Sequence, residues 1–158
     1  MLRYLPLIPV INNITDSFID NVLKPKVKPV EGSIVYCDLL LGYAEHSGIY
    51  IGNDQIVHKN RHGIIESVSS KYFIENTTAI SIYVSSYKGN ASGSIVSAWR
   101  AKSQIGIRDE YSIHRYNCHQ FCSYCLSGDV DNYDILLMQL KLNSRNYIDI
   151  DDWLVWDR

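Results

Sequence analysis

Two strand-like runs, residues 46–51 and 55–59, are separated only by Gly52-Asn53-Asp54, and this spacing restricts the fold more than any other feature. Glycine, asparagine and aspartate tolerate positive φ, so these three between two apolar-rich runs predict a tight β-hairpin. The neighbouring segments have the same character. Residues 33–39, 63–68 and 79–85 are rich in β-branched or aromatic side chains and are bounded by turn residues, which predicts further strands of an antiparallel sheet. Ile11, Ile14, Phe18, Ile19, Val22 and Leu23 recur at helical spacing until Pro25 and Pro29 end the pattern, predicting an amphipathic first helix. Residues 69–75 have room for one helical turn. A helix is expected over 94–104, where Ser94 serves as N-cap and Gly106 follows the end. Another should begin near Asn117 or Cys118 and stop at Gly128. The fold class is therefore α+β, an antiparallel sheet packed against helices. A length of 158 residues with 46% hydrophobic side chains suits a single domain, 1–158, with one core.

Charge and cysteine usage narrow the function. Fifteen basic and seventeen acidic side chains give a net charge of -2, which lacks the basic footprint of a nucleic-acid binder. The cysteines are Cys37, Cys118, Cys122 and Cys125, in a chain large enough not to need disulfides in place of a core, so they are expected to be reduced thiols. No apolar run reaches the roughly 18 residues of a spanning helix. The first ten residues hold two prolines and no small-residue cleavage site, and the expectation is a soluble cytoplasmic protein. Lys24, Lys26 and Lys28, set among Pro25 and Pro29, read as a solvated linker, with peripheral membrane contact as the alternative. Asp149, Asp151 and Asp152 lack the glycine turn and terminal glutamate of a calcium loop, and no metal or cofactor is expected. Trp153 and Trp156 read as a cover for the core, with a partner-binding patch as the alternative.

The chemistry is concentrated at Cys118. A thiol acts as a nucleophile through its thiolate, and the first turn of a helix favours negative charge because its N–H groups are unpaired. Cys118 occupies that turn. Cys122 and Cys125 lie four and seven residues further along one helix face and read as core packing, as does Cys37 within a strand. A zinc site built from these thiols with His114 or His119 is the rival reading, with the wrong ligand spacing for a knuckle. A thiolate nucleophile needs a base, and spacing alone does not choose among His46, His58, His62, His114 and His119. His46 opens a strand in which Gly48 and Gly52 share its face, leaving space for close approach.

Two separated segments carry a family resemblance. His46-Ser47-Gly48-Ile49-Tyr50-Ile51-Gly52-Asn53-Asp54-Gln55-Ile56-Val57-His58 resembles the histidine-bearing hairpin of the lecithin:retinol acyltransferase-like family, and Asn117-Cys118-His119-Gln120-Phe121 resembles its Asn-Cys-Glu-His-Phe box. Trp99-Arg100-Ala101, Gln104-Ile105-Gly106 and Tyr111 are similar to the stretch leading into that cysteine, and Gly32-Ser33-Ile34-Val35 to the opening strand. The resemblance covers about residues 30–128, leaving 1–29 as an N-terminal helix and linker and 129–158 as an acidic C-terminal extension.

The resemblance implies a circularly permuted papain-like (NlpC-type) fold in which the histidines precede the cysteine. It makes Cys118 the nucleophile, His46 its base and His58 the third polar residue that orients His46. The implied activity is a thiol acyltransferase or acyl hydrolase forming a thioester on Cys118, with an acyl-lipid or other acyl ester as substrate and the backbone N–H of Cys118 helping to hold the oxyanion. An NlpC-type peptidase or amidase acting on peptide or cell-wall fragments is the alternative, and an inactive binding module of the same fold is a third. Three departures stand out. His119 and Gln120 replace the glutamate and histidine of the box. An aspartate-rich stretch follows residue 128, where many animal members carry a hydrophobic anchor. A short hairpin sets His58 opposite Ile49 or Tyr50 and brings His62 nearer to His46, so His62 competes for the third role.

Overall fold

A computed structural model describes residues 19, 22–39, 44–110 and 116–158. Its strands are β1 (Lys26–Val27), β2 (Ile34–Asp38), β3 (Glu45–Tyr50), β4 (Gln55–Lys59), β5 (Ile65–Ser69), β6 (Tyr83–Tyr87), β7 (Asn90–Ala91) and β8 (Asp152–Trp156). The helices are α1 (Ser70–Ile74), α2 (Ile95–Gln104), α3 (Cys118–Ser127) and α4 (Leu137–Ser144). The strands form one sheet in the order β1-β8-β6-β2-β3-β4-β5, with β7 paired to β6. Of the expected first helix, Ile19, Val22 and Leu23 are helical; the rest lies outside the described residues, as does His114.

Period-two alternation gives the sheet two apolar faces. Ile34, Ile49, Val57 and Ile65 point to the helices, where they meet Phe121, Cys122, Cys125 and Leu140. Their neighbours Val35, Cys37, Ile56 and Val68 point the other way, against Phe73, Val84, Leu154 and Trp156. Burial on both faces explains why these strands are short continuous apolar runs.

The β3–β4 turn forms because Gly52, Asn53 and Asp54 all adopt positive φ (91°, 51° and 56°), and Ile51 and Gln55 close it with backbone hydrogen bonds. Its register pairs Ile49 with Val57 and Tyr50 with Ile56. Continued along the strands, this sets His58 across from Gly48, one position short of the expected partners. The extra turn residue accounts for the slip.

Several expectations are corrected by tertiary contacts. The strand expected over 79–85 runs from Tyr83 to Tyr87, because its partner is β8, in which Val84 pairs with Leu154 and Ser86 with Asp152. The acidic stretch 129–158 supplies a strand of the sheet, β8, which lies between β6 and β1 and pairs in parallel with β1. Trp156 is buried edge-to-face against Tyr50, and Trp153 meets Tyr36 in the same manner, which makes both tryptophans core cover. Asp151 is consumed structurally, accepting from the backbone N–H of Lys88.

Two caps and one cation fix the helix that begins at Cys118. Asn117 accepts from the N–H groups of His119 and Gln120, while the Gln120 side chain accepts from Asn117 N–H, completing a capping box. Gly128 ends α3 in the left-handed conformation. Arg100 on α2 donates to the carbonyls of Cys125 and Leu126, tying α2 to the C-terminal end of α3.

Gly32 carries a stability prediction. Its φ is +84° and a Cβ there would lie 1.8 Å from the carbonyl oxygen of Ser94. Gly32→Ala therefore combines backbone strain with a backbone clash and is expected to cost about 3 kcal/mol or more, read as a lower denaturation midpoint. A wild-type midpoint would show that the β2–α2 junction is looser than this packing requires.

Candidate active site

Four elements converge on one end of the sheet. β3 delivers His46 and Ser47 to opposite faces, β4 delivers His58, β5 delivers Glu66, and the first turn of α3 delivers Cys118 and His119. Their side chains divide into two hydrogen-bonded groups.

The first group lies on the Phe73 side. His46 Nε2 and His58 Nδ1 are 2.6 Å apart, and His58 Nε2 lies 3.4 Å from Glu66 Oε1. Phe73 stacks on His46 at 5.0 Å and meets His58 edge-on, which holds both rings in place. The second group lies under α3. Ser47 Oγ is 2.8 Å from His119 Nδ1, the Cys122 thiol donates to Ser47 Oγ at 3.4 Å, and Cys118 Sγ lies 3.9 Å from His119 Nδ1. Cys118 also lies within electrostatic reach of Cys37, the Cα partner of His46 across β2–β3.

The structure brings His58 to His46 and leaves His62 in the β4–β5 turn, exposed, where its Nε2 accepts from Arg61. It brings Cys118 to the same end of the sheet. Its sulfur lies 3.9 Å from His119 Nδ1.

Burial sets the charge states. His46 is held well below the usual histidine range by desolvation, reinforced by His58 and His119. Burial lowers His58 to about 4 against the opposing pull of Glu66, and it lowers His119 to about 4. All three rings are therefore neutral at pH 7. Burial pushes the Cys37, Cys122 and Cys125 thiols strongly upward, so these three are inert packing groups. Among the described residues no group of three His, Cys, Asp or Glu side chains is arranged to hold a metal ion.

A pH dependence of stability follows. Each ring has a lower pKa folded than its ordinary value of 6.5, so protonation favours the unfolded chain. Their contribution is complete above about pH 6.5 and is lost progressively as pH falls toward 4. Calorimetry from pH 7.5 to 5 should show a falling Tm, with a shallower slope in His119→Gln; a flat Tm would mean that the rings are solvated.

Sequence reasoning missed two residues here. Ser47 was legible only as a neighbour of His46, and although His119 stood among the candidate histidines, nothing said that the two meet. Glu66 gave no signal at all, because its partner is set by the β4–β5 register, in which it faces His58 directly.

The buried imidazole pair and the thiol in the first turn of α3 are carried on one mixed α+β scaffold. A model of the NlpC/P60 family matches residues 13–82, the segment that carries His46 and His58 and ends before Cys118. The chain is thus similar over that segment to a family of cysteine-dependent enzymes. No curated protein matches the chain. Among the described residues no helix is long and apolar enough to cross a membrane.

Proposed function

We propose that this protein is a thiol acyl-transfer enzyme of the permuted papain-like type, acting through a thioester on Cys118 with His46 as base and His58 as the residue that orients it. One observation carries the reading. His58 Nδ1 occupies Nε2 of His46 at 2.6 Å, which leaves Nδ1 of His46 as the nitrogen for proton transfer. His119 Nδ1 lies 3.9 Å from the sulfur but is already engaged by Ser47 at 2.8 Å, so it serves as a poorer base.

His46 Nδ1 takes the Cys118 proton as sulfur attacks the acyl carbonyl, and the positive end of α3 offsets the charge developing on the carbonyl oxygen. The C–O or C–N bond then breaks, and the leaving group takes the proton back from His46. An alcohol, amine or water gives a proton to His46 and attacks the thioester, which releases the acyl product and restores the thiol. Histidines that precede the cysteine support a permuted order. An acyl ester, lipid or otherwise, is the donor in the first reading. Amide hydrolysis of a peptide or cell-wall fragment is the second, favoured by the likeness to NlpC/P60.

Intact-mass analysis after exposure to activated acyl esters and, separately, to phospholipid and muropeptide tests both readings. A single acyl adduct on Cys118 is expected. Adduct from phospholipid supports the ester reading, and release of amino groups from muropeptide without it supports the amidase. No adduct from any donor would leave the fold as a binding module.

A further inference from the structure

We propose that Glu66 is a positioning residue that fixes the proton arrangement of the His46–His58 pair and so selects the nitrogen that faces the thiol; this rests on the reading of Cys118 and His46 given above. Glu66 is the direct cross-strand partner of His58, and strand partners present their side chains on one face. Its Oε1 lies 3.4 Å from His58 Nε2, a buried nitrogen that makes no well-formed hydrogen bond among the described residues. Asn60 holds the carboxylate there, donating from Nδ2 to Oε1 at 2.8 Å. Asn60 is itself oriented by the turn, because its Oδ1 accepts from the N–H groups of His62 and Ile64.

Valence dictates the rest. A carboxylate only accepts, so the nitrogen facing Glu66 carries the proton of His58. A neutral imidazole has one N–H, so Nδ1 of His58 is an acceptor. The 2.6 Å bond is then donated by His46 Nε2, and Nδ1 of His46 is left with its lone pair, which is the form a general base requires. Without the carboxylate the pair can run in either direction, and half of the arrangements place N–H where the base should be.

Among the described residues the titratable groups around the pair are Cys37 from β2, His119 from α3 and Glu66 from β5, with Cys118 within electrostatic reach of Cys37, and α1 presents the uncharged ring of Phe73. Glu66 is the group whose charge raises the basicity of His58, opposing the burial that lowers it. A glutamine at 66 keeps the shape, removes the charge and, able to donate or accept, no longer dictates direction.

Imidazole nitrogen NMR of the full chain, wild type against Glu66→Gln, tests this without any substrate. Wild type is expected to show His46 and His58 both as Nε2–H tautomers, and Glu66→Gln a mixture. Single-turnover acylation with an activated ester adds a functional readout. Glu66→Gln should acylate about 10-fold more slowly, with little change in KM and with the acid limb of kcat/KM moved to lower pH by about half a unit or more, and Glu66→Asp should recover part of the rate. Unchanged tautomers and an unmoved limb in Glu66→Gln would overturn the role of Glu66, even where the rate falls with stability. Absence of any Cys118 adduct in wild type would overturn the enzyme reading instead, and the spectra would still decide the role of Glu66.

Discussion

Cys118→Ala should abolish acyl-enzyme formation and lower turnover by a factor of about 10⁴ or more, because no other group in the site can take its place. The reason is positional. Cys118 stands in the first turn of α3, capped by Asn117, with its sulfur 3.9 Å from His119 Nδ1. Cys122 and Cys125 lie further along the same helix in the apolar cluster, and Cys37 is buried within β2, where desolvation holds each as a neutral thiol. Intact-mass analysis with an activated ester reads the result directly. The fold should persist, since loss of one sulfur from the end of a capped helix costs only about 1 kcal/mol. An adduct that survives in Cys118→Ala, or appears at Cys122, would remove the nucleophile from this account.

His46→Asn should lower kcat/KM by about 10²- to 10⁴-fold, the usual contribution of a general base. Asparagine can still hydrogen-bond His58, which limits the structural damage that alanine would cause beneath the Phe73 ring. The variant's pH profile is the sharper readout. Under the proposed mechanism the buried, neutral His46 accepts the thiol proton, and its depressed basicity should carry activity below the ordinary histidine range. In His46→Asn the thiolate must form by itself, so the rate should climb with pH toward the free-thiol value near 8.5. His119→Gln should keep most of the activity, because His119 Nδ1 is committed to Ser47. The reverse outcome, full activity in His46→Asn and a large loss in His119→Gln, would move the base to His119, whose Nδ1 lies 3.9 Å from the sulfur.

Local chemistry was legible in the chain. Ser94 and Asn117 occupy the N-cap positions of their helices, and Gly128 sits at the C-cap in the left-handed conformation. Gly52, Asn53 and Asp54 make the positive-φ turn that their side chains favour. These features depend on residues close in sequence, whose conformational preferences act before any tertiary contact forms. The strand at β8 was not legible, because Asp152–Trp156 follows an acidic stretch and becomes a strand by pairing with β6 and β1 across most of the chain. The choice between His58 and His62 was equally closed to inspection. A one-residue change in hairpin register exchanges the face of a side chain, and sequence distance does not fix that register when the turn holds an extra residue.

Residue type and spacing by themselves determined the capped helix at Cys118, the histidine hairpin and the α+β class, since each is a short-range consequence of backbone preference and apolar period. Only the tertiary structure decided which imidazoles touch, which thiols are sealed in the core, and that Glu66 lies beside His58. Those facts depend on strand register and burial, where a shift of one residue or a few ångströms changes the partner of every polar group.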